Sequence, residues 1–71
     1  LRSNRTDDAI KSFKLNVEEY PNSANVYDGL GDAYLKAGNK VQAIACYEKE
    51  SALDPSNEDL KNRIKTLKTG Q

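Results

Sequence analysis

The sequence predicts an all-α chain of about four short helices, arranged as antiparallel hairpins. Three observations carry this. Apolar residues recur at spacings of three and four within four separate segments, the period of an α-helix that buries one face. Pro21, Gly38 and Pro55 fall between those segments, where helices stop. The chain also repeats itself: Ala9, Ile10, Phe13 and Pro21 fall on Ala43, Ile44, Tyr47 and Pro55, each 34 residues later.

The first helix is expected from about Asp7 to Glu19. Ile10, Phe13, Val17 and Tyr20 form its apolar face, and Asp7 and Asp8 sit at the positive end of its dipole. Pro21 pushes the residue before it out of the helical region. The second helix is expected over 24–37, with Ser23 as N-cap. Val26, Tyr27, Leu30, Ala33, Tyr34 and Ala37 make its apolar side, and Gly38 ends it because glycine readily takes a left-handed conformation. The third helix is expected over 40–53, with Val41, Ile44, Ala45, Tyr47, Ala52 and Leu53 as burial candidates. The fourth follows Ser56-x-x-Asp59, a variant of the capping box. Leu60, Ile64 and Leu67 form its single apolar stripe, and Lys61, Lys65 and Lys68 line its other side.

Two glycines, Gly29 and Gly31, lie within the second helix, where each costs about 1 kcal/mol relative to alanine. A packing reason is expected for Gly31. It and Ala43 are small residues on facing helices, so the pair can approach closely while Tyr34 and Tyr47 fill the flanks.

Composition narrows the function classes. The 71 residues hold 11 basic and 11 acidic side chains, so no net charge recruits nucleic acid or an anionic membrane. No apolar run approaches the roughly 20 residues that span a bilayer. There is no histidine, hence no usual general base or metal ligand. Cys46 is the one cysteine and is expected to be a small buried apolar group. Gly29-Leu30-Gly31 is not followed by the Gly-Lys-Ser/Thr of a phosphate loop. Residues 54–59 lack the glycine and terminal glutamate of a calcium loop. Asp28 and Asp32 stand four apart, the spacing of a solvated acidic face. No catalytic, cofactor or metal site is expected, and the chain is not expected to be an enzyme. With no Met anywhere, and a start at "LRSNRTDD", it looks cut from a longer protein, the alternative being a processed mature chain.

Tyr27, Leu30-Gly31, Tyr34, Ala43, Tyr47 and Pro55 together resemble the pattern of the tetratricopeptide repeat. The resemblance implies an α-solenoid fragment: the second helix of a truncated preceding repeat (1–23), a complete repeat (24–55) and a C-terminal capping helix (56–71). Tyr27 stands where tryptophan is commoner. Glu50, and Asn16 in the half repeat, stand where the family places a small residue, so looser packing is expected there. The resemblance implies a protein-interaction or scaffolding segment of a larger protein, the alternative being an autonomous domain that binds a peptide on a concave face. The matching positions are Asn25, Asp28, Gly29, Asp32 and Lys36. Gly29 would there either leave room for a partner's backbone or be a plain surface glycine, the second being the simpler reading. The family members that clamp a chaperone's C-terminal carboxylate need Lys, Asn and Arg on this face. Asp28 and Asp32 have the wrong sign, so a basic or neutral segment is the expected ligand. Ile10, Phe13 and Val17 are expected to lack a covering helix and to meet a second copy of the chain or the rest of a parent protein. Four acids and no bases lie between Leu15 and Leu35, and the last sixteen residues hold four bases against two acids. Either copies stack end to end or both are ordinary solvent faces. Residues 13–39 also look like repeat tails of some bacterial serine hydrolases of the β-lactamase-like type, which would make the chain an accessory module.

Overall fold

The computed structural model describes residues 5–69. Four helices follow one another: α1 (Arg5–Glu19), α2 (Ala24–Lys36), α3 (Lys40–Leu53) and α4 (Glu58–Thr69). Residues 1–4 and 70–71 of the expected outer segments lie outside the described residues. Each helix packs on the next in sequence, as short connections dictate. The extents are 40 × 31 × 14 Å, a slab little thicker than one helix with its side chains. A slab buries little, and the enclosed side chains lie in one band through α2, α3 and α4.

That band holds Leu30 and Tyr34 from α2, Ala43, Cys46 and Tyr47 from α3, and Leu60 and Ile64 from α4. Ala43 and Tyr47 are fully enclosed. The stripe on α3 is Ala43, Cys46, Tyr47 and Glu50, one helical face that includes an acid. Val41, expected inside, is 78% exposed, and Ala45 and Ala52 are exposed as well. They lie off that face, and apolar character alone does not turn them inward. Glu50, which stands where the looser packing was expected, is enclosed to 7% exposure.

The turns are set by local bonds. At the end of α2, the Asn39 N–H donates to the Tyr34 carbonyl at 2.8 Å and the Gly38 N–H to Leu35 at 3.0 Å. With Gly38 at φ +80°, this is a Schellman closure. Ser23 takes the extended N-cap backbone of α2 but makes no side-chain cap bond. At α4 the cap is Asn57 rather than Ser56: Asn57 Oδ1 accepts from the Leu60 N–H at 3.1 Å, while Ser56 Oγ turns back to Asp54. Lys68 Nζ meets Glu48 Oε2 at 2.5 Å and ties α4 to α3.

Both interior glycines have a neighbour in the space a side chain would need. A Cβ on Gly31 would stand 2.6 Å from Tyr47 Cε1. The close approach is therefore made by Tyr47, and its ring, rather than Ala43, lies nearest Gly31. A Cβ on Gly29 would stand 2.4 Å from Phe13 Cε1. Gly29 is thus not a plain surface glycine; it gives α1 a seat on α2. Ile10, Phe13 and Val17 are half-buried and packed against the core, so α2 already covers part of the face expected to be open. Leu15 and Tyr20 are the large exposed apolar groups near the C-terminal end of α1.

Candidate functional site

The five expected binding positions on α2 divide between two neighbourhoods. Gly29, Asp32 and Lys36 lie a helical turn apart and border a groove of about 210 Å³, closed on its far side by Ala9 and Phe13 of α1 and floored by Ala33. Asn25 is exposed and does not line this groove. Asp28 turns the other way, toward α4.

On that second side Asp28 and Asp32 meet one cation. Arg63 Nη1 lies 3.4 Å from Asp28 Oδ1 and 4.0 Å from Asp32 Oδ1. Its guanidinium carbon stands 5.3 Å from the centre of the Tyr47 ring, within cation–π range. The Tyr47 hydroxyl donates to Asp32 Oδ1. Burial first, then the bond to Asp32, hold the Tyr47 phenol well above its usual pKa, so it remains a donor. The two carboxylates are therefore not a bare acidic face. Part of the charge contrast between the middle of the chain and its end is satisfied internally by Arg63.

Behind them sits Glu50, whose Oε1 is buried with no hydrogen-bond partner among the described residues. Its carboxyl pKa is pushed up to about 7. Burial is the main cause, followed by the Asp28 carboxylate beside it, with Arg63 opposing and Asp32 adding. Burial and the neighbouring Asp28 carboxylate both favour the neutral acid.

Among the described residues no group of His, Cys, Asp or Glu side chains is placed to hold a metal ion, and no helix is long and apolar enough to cross a membrane. Cys46 is buried, and burial raises its thiol pKa, with Lys14 opposing. A thiol so placed is little ionised and unreactive.

The family model for the tetratricopeptide repeat matches residues 24–57, the span of α2, α3 and the turn into α4. Residues 24–57 are a tetratricopeptide repeat. The Hsp70-Hsp90 organizing protein of Triticum aestivum is 47% identical over 57 residues, covering 80% of this chain and 10% of that protein. Superkiller protein 3 of Schizosaccharomyces pombe is 36% identical over 59 residues, 83% of this chain and 4% of that protein. The tetratricopeptide repeat domain-containing protein PYG7, chloroplastic, of Arabidopsis thaliana is 29% identical over 75 residues, 96% of this chain and 25% of that protein. The chain thus spans a quarter or less of each relative's length. No solved structure matches it.

Sequence reasoning found Asp28 and Asp32 but missed Tyr47 and Glu50 within the repeat, and Arg63 on α4 beyond it, as members of one cluster. A signal was present. Glu50 is an acid on the inward stripe of α3, where the tetratricopeptide pattern has a small residue, and an acid so placed needs a proton or a cation nearby. Arg63 gave less warning, because nothing in the spacing of α4 sets it apart from the surrounding lysines.

Proposed function

We propose that the repeat is a protein-interaction module with no catalytic step, and that it receives a basic or neutral segment of a partner along α2. The carrying observation is the pair Asp28 and Asp32, whose side chains are 42% and 57% exposed and share Arg63 as their cation. A concave face with this sign repels an anionic C-terminus. The printed name of the wheat relative links that protein to Hsp70 and Hsp90; for this chain we propose a different preference, because the acids on α2 oppose a carboxylate ligand. The relatives, by their names, lend no support to the resemblance with serine hydrolase tails.

The test is a displayed-peptide library screened against the chain, with binders mapped by backbone amide NMR. Basic or neutral peptides that shift the amides of α2 support the proposal, and Asp28→Lys with Asp32→Lys should abolish their binding. Selection of acidic peptides, or binders that leave α2 unperturbed, would overturn it.

The groove beside Phe13 carries a second part of the proposal. Ala9 and Phe13 fall 34 residues before Ala43 and Tyr47, and Tyr47 receives Gly31 of α2. We infer that α1 is the second helix of a preceding repeat, and that its groove takes a helix of the α2 kind presenting a small residue to Phe13. A longer chain or a second copy would supply that helix. Sedimentation equilibrium separates the cases: a concentration-dependent mass that Phe13→Ser abolishes indicates self-association through this face, and a monomer at millimolar concentration excludes it.

A further inference from the structure

Glu50, Asp28 and Asp32 bring three carboxyl groups to one place, and Arg63 is the cation they share. Arg63 is divided between Asp28 and Asp32 at 3.4 and 4.0 Å, so neither has a tight partner. Of the lysines, Lys49 lies 6.0 Å from the centre of the Tyr27 ring, Lys68 is on Glu48 and Lys61 is on Glu58, while Lys36, one turn beyond Asp32, borders the groove rather than the Arg63 side. Glu50 is 93% buried, taken from its 7% exposure, and its Oε1 has no partner among the described residues. The charged groups facing it are Asp28 and Asp32 from α2 and Arg63 from α4. With all three acids ionised against Arg63 the cluster is two positive charges short, and among the described residues no group is placed to hold a metal ion. A proton on Glu50 or a cation from outside each supplies one of these charges, and Asp28 and Asp32 are the members that solvent reaches.

We propose that Asp28 and Asp32 form a receptor for one lysine or arginine side chain of a partner segment, and that this cation displaces the proton held by Glu50. This rests on the interaction-module reading above and adds to it a ligand chemistry and a proton linkage. The exchange balances simply. The neutral Glu50 acid loses one proton to the buffer, its carboxylate stays in place, and the incoming ammonium or guanidinium supplies the compensating charge. Glu50 itself is a positioning residue: it sets the charge behind the two aspartates without meeting solvent. Its raised pKa near neutrality means that the proton is present to be displaced under ordinary conditions.

The probe is acetyl-tetralysine amide, titrated calorimetrically into the chain at about 0.15 M salt, where the Debye length is about 8 Å and long-range attraction is screened. The titration is run in two buffers of different ionisation enthalpy. About half a proton should be released per peptide at pH 7, and affinity should rise about tenfold from pH 6 to pH 8 by linkage. Glu50→Gln should still bind, release no proton and lose the pH slope. Asp28→Asn with Asp32→Asn should lose binding, and acetyl-tetraglutamate amide should not bind. If Glu50→Gln does not fold, the side-chain carboxyl carbon of Glu50, followed by NMR in the unaltered chain, should move to its ionised position when tetralysine is added at pH 6.5. Tetralysine binding at α2 without proton release would overturn this inference and leave the interaction module standing. Tetralysine binding that shifts only amides near Glu18 and Glu19 would overturn the receptor. If no peptide of any charge perturbs α2, the module reading fails and this inference with it.

Discussion

The ring of Tyr47 fills the space in front of Gly31, so that a methyl group there would lie 2.6 Å from Cε1. Tyr47 is fully enclosed and cannot swing aside. Gly31→Ala gains about 1 kcal/mol of helix propensity and forces an overpacking that costs about 1–3 kcal/mol. The expected result of urea denaturation is a net loss of stability. The same change at Gly29 meets Phe13, which is only half-buried and has room to move. Gly29→Ala should therefore be close to neutral, and an equal loss at both sites would contradict this difference.

Gly38 is held at φ +80°, with its N–H and that of Asn39 closing the end of α2. No atom stands where its side chain would be, so the cost of Gly38→Ala is purely conformational, about 1–2 kcal/mol. Gly38→Asn should cost less, since asparagine tolerates this region better. Thermal melts of the two variants give the order.

These three glycines show how far the sequence is legible. Gly38 is readable because a left-handed helix end follows from local chemistry alone. A packing reason for Gly31 is also readable, from the cost of glycine in a helix. Its partner is not, since identifying Tyr47 requires knowing the rotation of α3 about its axis. The same rotation decides that Glu50 faces inward and Val41 outward, although composition suggests the reverse. The docking of α4 in turn places Arg63, 31 residues beyond Asp32, against Asp28 and Asp32. Helix positions came from periodicity and turn residues, and α1 begins at Arg5 rather than near Asp7. The electrostatic cluster depends on three helices meeting, which no one segment encodes.

Asn57 Oδ1 satisfies the Leu60 N–H at the start of α4, and Leu60 is 2% exposed against the core. Loss of the cap by Asn57→Ala should cost about 1 kcal/mol, whereas Ser56→Ala should be nearly silent. Because α4 is the outermost helix, the loss should also appear locally. Amide hydrogen exchange in α4 should accelerate more than in α2, and uniform acceleration would place the effect on global unfolding instead.

Glu50 gives the fold a pH dependence of unusual direction for an acid. Its pKa is about 7 in the folded chain against an ordinary 4.5. Between those values the folded state holds a proton that the unfolded state has lost, so stability falls as pH rises. This contribution is fully present below pH 4.5, declines through the interval and is gone above pH 7. The span corresponds to a loss on the order of 3 kcal/mol at 1.36 kcal/mol per pH unit. Glu50→Gln keeps the shape of the side chain, and it has no proton to lose. The variant should match the unaltered chain near pH 4.5 and exceed it in stability at pH 8. Urea denaturation at the two pH values measures the difference directly. A variant equally destabilised at both would mean that the ionised Glu50 carboxylate is satisfied by Arg63, and that burial imposes no penalty on its charge.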